Sequence, residues 1–136
     1  MSCACPTRTW DGDREQLRRE VERLADRLRT LADTRLRQPC PPYASRADAG
    51  RHAAQVLADA AAALEAAAGT PYVRRTLPVL SVLAVGDQVA ATGHDVDLAV
   101  GALGPDAMLA EQGRPRCARD VLRSALDTVR DVRRAL

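Results

Sequence analysis

A chain of 136 residues, 46% of them hydrophobic, is long enough to bury one core and too apolar to be disordered throughout. Aromatic residues make up only 2% and Phe is absent, so the core must be built from Leu, Val and Ala. The 20 basic and 18 acidic residues leave a net charge of +2. Because the two signs are interleaved, no segregated positive face is on offer, which argues against a nucleic-acid partner.

Every basic residue is Arg, and Lys, Ile, Asn and Phe do not occur. The missing types are those of AT-rich codons, so a GC-rich bacterial genome accounts for the arginines without any selection for guanidinium chemistry. The first ten residues lack the apolar run of a secretory leader and read as a flexible tail, with residues 11–136 forming a single helical domain. The longest apolar stretch, residues 77–85, contains Pro78 and falls short of the ~20 residues that a spanning helix needs. The expectation is a cytoplasmic protein with no membrane association.

The first helical segment is predicted over residues 11–37, with Asp11 or Asp13 as its N-cap. Leu17, Val21, Leu24, Leu28 and Leu31 recur at alternating spacings of four and three, an apolar seam of heptad type. Pro39, Pro41 and Pro42 end it. A second helix begins at Ser45, with Asp48 placed for a capping box, and buries Ala49, Ala53, Val56, Leu57, Ala60, Leu64 and Ala67. Gly69 followed by Pro71 is its stop signal.

Residues 72–84 are ambiguous, since Pro78 interrupts an apolar, β-branched run, and read equally as an extended connector or a helical turn. A third helix spans residues 87–103, ended by Gly104 and Pro105. A fourth starts near Pro115 and carries a second heptad seam of Ala118, Leu122, Ala125, Val129, Val132 and Leu136. Residues 106–112 are read as an extra turn before it. No strand-like alternation of useful length is present. The fold expected is all-α: a four-helix bundle, antiparallel because the connections are short, with a Pro-containing connector between the second and third helices.

Three groups of residues bear chemistry. Cys3 and Cys5 have a spacing that can hold a soft metal ion, but no second pair or zinc-finger spacing accompanies them, and no metal or other cofactor is expected. Cys40 and Cys117 would fall at the same end of an alternating bundle. They read as small packing residues or, for Cys117 at a helix N-terminus beside Arg116 and Arg119, as a reactive thiol.

The densest polar group is on the third helix: Asp87, Gln88, His94, Asp95 and Asp97. Asp87 and His94 share a face, and Asp97 is one turn beyond His94, where it would favour the imidazolium. That face reads either as solvated surface or as a small binding or acid–base site. Gly86, Gly93 and Gly101 weaken the same helix, and such glycines can mark close backbone approach.

The function expected from the two seams is association, with the chain itself as a homo-oligomer or with a protein partner. The alternative is a small enzyme or small-molecule-binding protein using Asp87, Gln88, His94 and Asp97. A pocket enclosing His94 and Asp97 would favour the second, and a convex exposed face the first.

Overall fold

The structure is a computed structural model that describes residues 9–111 and 114–136. Most of these residues are helical. The expected tail therefore lies outside the described residues except for Thr9 and Trp10, as do Cys3 and Cys5.

Helix α1 (Trp10–Thr30) is capped by Thr9, whose hydroxyl accepts the Gly12 N–H at 2.9 Å. Asp11 and Asp13, the expected caps, lie instead in the first turn, at the positive end of the helix dipole. The helix stops short of residue 37. The Thr30 hydroxyl donates to the Arg27 carbonyl, and Leu31 adopts an extended conformation. After this break the short helix α2 (Asp33–Leu36) turns Leu36 into the core, so that Leu31 and Leu36 are both buried.

Helix α3 (Arg46–Ala67) starts and stops where the sequence signals stand. The Ser45 hydroxyl accepts the Asp48 N–H at 3.1 Å, and Gly69, at φ +110°, closes the far end in a left-handed conformation. Residues 68–81 form an irregular connector that leads into a single 3-10 turn (Val82–Ala84) and helix α4 (Val85–Gly101).

The region read as an extra turn is a β-hairpin. Strand β1 (Met108–Glu111) pairs antiparallel with β2 (Arg114–Cys117), Met108 opposite Cys117 and Ala110 opposite Pro115. Pro115 thus sits in a two-stranded ribbon, where proline is tolerated, rather than in a helical first turn. Helix α5 (Ala118–Ala135) begins three residues later because its first free donors are met by the preceding backbone. The Ala118 N–H reaches the Ala107 carbonyl at 2.7 Å, and the Arg119 N–H reaches that of Pro105 at 3.3 Å. Leu109 anchors the hairpin in the core.

Ion pairs and side-chain hydrogen bonds fix the directions of α1, α4 and α5 relative to one another. Between α1 and α4, Arg14 meets Asp97 and Arg29 meets Asp87, so these helices are antiparallel. Between α1 and α5, Arg123 approaches Asp13, Arg130 bonds Gln16 and Arg133 bonds Glu20, so these two are parallel. The connector runs back along α3. Arg75 pairs with Glu65, Arg74 with Asp59, the Leu77 N–H with Gln55, and Arg51 with the Leu80 carbonyl. Helix α4 therefore starts beside the start of α3, where a methyl group on Gly50 would lie 2.6 Å from Val85 Cγ1.

Direction thus does not alternate along the chain as the sequence reading expected: α3 and α4 run the same way. The physical reason is reach. An extended residue advances ~3.3 Å against 1.5 Å in a helix, so a 14-residue connector (residues 68–81) can retrace the 22-residue α3.

The seam residues meet in one core. Leu17, Val21, Leu24 and Leu28 of α1 pack with Leu57 and Leu64 of α3, Val89 and Val96 of α4, and Leu122, Ala125, Val129 and Val132 of α5. Val56, expected in that core, is only half-buried. Among the described residues no helix is long and apolar enough to cross a membrane.

Candidate functional site

The sequence-selected residues of α4 divide between its two sides. Asp87, His94 and Asp97 turn towards α1, whereas Gln88 turns towards the connector. Gln88 donates to the Pro78 carbonyl at 2.9 Å and lines a separate recess with Arg51, His52 and Gln55. The polar atoms of that recess hold the chain in place. Gln55 alone donates to the Arg75 carbonyl and accepts from the Leu77 N–H.

On the other side, α1 and α4 enclose a groove of about 280 Å³. That is near the lower end of the range typical of small-molecule sites. Its floor is apolar, formed by Leu17, Val21, Ala25, Gly93, Val96 and Val100, with Leu122 of α5 beneath. The two helices approach closely here, where α4 lacks side chains at the crossing. A Cβ on Gly93 would stand 2.5 Å from Val21 Cγ1, and one on Gly86 would stand 2.9 Å from the Ala25 carbonyl oxygen. The glycines of α4 thus mark a close helix approach, and the small residues Ala25 and Ala90 leave the groove open above it.

Charge is gathered at one end. Arg14 Nε donates to Asp97 Oδ1 at 2.8 Å and its Nη2 to Oδ2 at 3.4 Å. Arg18 Nη2 reaches the same two oxygens at 3.1 and 3.3 Å, and its Nη1 holds Glu15 at 2.9 Å. The hydrogen bond from Arg14, and after it the one from Arg18, holds the Asp97 carboxyl below the usual carboxylate range despite partial burial. The same bond raises the pKa of Arg14.

The expected pairing of Asp97 with His94 does not occur, because two guanidiniums from α1 occupy the carboxylate. His94 is exposed on the groove wall and makes no side-chain hydrogen bond among the described residues. Asp87 does not line the groove. It accepts from Arg29, which does, at 2.8 Å.

Arg14, Arg18 and the apolar floor contributed by α1 are the part of the site that sequence reasoning missed. Helix 1 carries arginine on every outward face, and nothing in its spacing singles out these two.

The cysteines are far apart. Cys40 Sγ contacts the Ala135 carbonyl at the C-terminal end of α5, whereas Cys117 is the N-cap residue of that helix. The 18 residues of α5 separate them by about 27 Å along the axis. The expectation that both lie at one end depended on alternating helix directions and fails with it. Cys117 is buried, at 2% exposure, and so is not presented to solvent as a reactive thiol. Among the described residues, no cluster of three or more His, Cys, Asp or Glu side chains is arranged to hold a metal ion.

Comparison with known protein families, curated proteins and solved structures finds no match for this chain.

Proposed function

We propose that this chain is a small-molecule-binding protein whose site is the α1/α4 groove. The observation that carries this reading is a concave, apolar-floored opening with convergent Arg14, Arg18, His94 and Asp97 at its rim. A solvated surface helix would show these groups on a convex face, each in water on its own. Here three of them, Arg14, Arg18 and Asp97, are fixed by charge-assisted hydrogen bonds across helices, so their geometry is set before a ligand arrives. The floor favours a largely apolar ligand, and the rim favours one polar head.

The seams that motivated an association function are consumed by packing within the chain, so they no longer argue for it. A different observation supports association as a second reading. Val73, Val79, Leu83 and Leu98 are more than half exposed, on the connector, the 3-10 turn and the outer face of α4. Sedimentation equilibrium separates the readings: monomer at high micromolar concentration counts against association and leaves the groove reading intact.

The groove reading is tested by amide-shift mapping with small apolar compounds that each carry one polar group. Shifts gathered at Ala90, Gly93 and Asp97 support it. Compounds that bind only elsewhere, or none that bind, refute it.

A further inference from the structure

Resting on that reading, we infer that the groove takes a monoanionic amphiphile: an apolar tail on the Leu17–Val21–Gly93 floor and a carboxylate or comparable single-charged head at Arg14 and Arg18. This assignment rests on the placement of charge and a donor count at the rim. Two guanidiniums from α1 share one carboxylate, Asp97, at this end of the groove, and Arg18 is paired as well with Glu15, which does not line it. Over the whole lining Arg14, Arg18 and Arg29 balance Glu22, Asp26 and Asp97, so the two guanidiniums are gathered at this end without a net excess of positive charge.

Donors are also left over. Arg14 Nη1 and Arg18 Nε make no hydrogen bond among the described residues, and both side chains line the groove. Asp97 holds the two guanidiniums in place and leaves one nitrogen donor on each for a second anion.

A cationic head at this end would face two guanidiniums. The nearest alternative for a cation is Glu22, one turn along α1 from Arg18, which also lines the groove and has no ion-pair partner among the described residues. A neutral head would gain only ordinary hydrogen bonds. The head group therefore decides affinity, with the tail held constant.

The test uses the full chain and three probes with one tail: octanoate, octanol and octylammonium, titrated at low ionic strength and followed by amide shifts. The same series is run on Arg18→Gln, an exposed position whose loss leaves the core untouched. The expected result is octanoate binding about tenfold tighter than octanol, the gain of a charge-assisted over a neutral hydrogen bond. Shifts should centre on Ala90 and Gly93, and the advantage should vanish in Arg18→Gln. Equal affinities, or octylammonium tightest, would overturn the anionic head while leaving the groove as the site. An octanoate preference that persists in Arg18→Gln would equally overturn the assignment to this rim. Absence of groove shifts with all three probes would overturn the groove reading itself.

Discussion

Gly93 and Val21 define the crossing of α1 and α4: a methyl group added to Gly93 would stand 2.5 Å from one Val21 methyl and 2.9 Å from the other. Val21 is β-branched and buried, so it has little freedom to move aside. Gly93→Ala would ordinarily stabilise a helix interior by up to about 1 kcal/mol. Here overpacking should outweigh that gain, for a net loss of about 1–2 kcal/mol. Gly104, with nothing within 4 Å of an added Cβ, is the control. Urea midpoints should fall for Gly93→Ala and stay within error for Gly104→Ala. A Gly93→Ala midpoint at or above the parent would mean that the helices do not cross as described.

The depressed pKa of Asp97 sets a pH dependence with a definite sign. The group is held below its unfolded value by Arg14 and then Arg18, so its contribution is fully present above the unfolded pKa of about 4. That contribution is lost as the pH falls through the folded value. At neutral pH, Asp97→Asn should cost about 1 kcal/mol, a figure kept small by the partial exposure of both partners. The difference between the two proteins should shrink steadily below about pH 4. A gap that stays constant from neutral to acid pH would show that the ion pair contributes nothing to folding.

The connector should be tied down chiefly by α3. Gln55 donates to the Arg75 carbonyl at 2.8 Å and accepts the Leu77 N–H at 3.0 Å. Gln55→Ala removes both while leaving the core seams intact. Under native conditions trypsin should then cleave after Arg74 or Arg75 several-fold faster, with the urea midpoint little changed, because local opening and global unfolding are separate events. Unchanged cleavage would mean that the connector is held by something other than these side-chain bonds.

What was legible in the sequence, and what was not, follows the range of the interactions. Leu17, Leu24 and Leu28 announce their burial by spacing alone, and Leu122 and Val129 do the same at the other end of the chain. The Ser45 and Gly69 signals place α3 to the residue, since capping is decided within one turn. The direction of α4 is decided by the path of fourteen irregular residues (68–81) held by Arg51, Gln55 and Gln88. No local pattern encodes that path.

The hairpin escaped for a related reason. Its strands are four residues each, too short for alternation to register, and Pro115 read as a helix start. The site was half visible. His94 and Asp97 stood out as polar residues on a weak helix, but their α1 partners, Arg14 and Arg18, are two arginines among many. Only the antiparallel packing of α1 on α4 brings them to the same rim.

The central claim is that the α1/α4 groove binds a small molecule, and a groove-filling variant tests it most directly. Ala90 lines the opening and is only half-buried, so Ala90→Met should fold normally while laying its side chain across the floor. Isothermal titration with octanoate should give saturable, single-site binding for the parent chain and none for Ala90→Met at equal thermal stability. Equal binding by the two proteins would contradict the account.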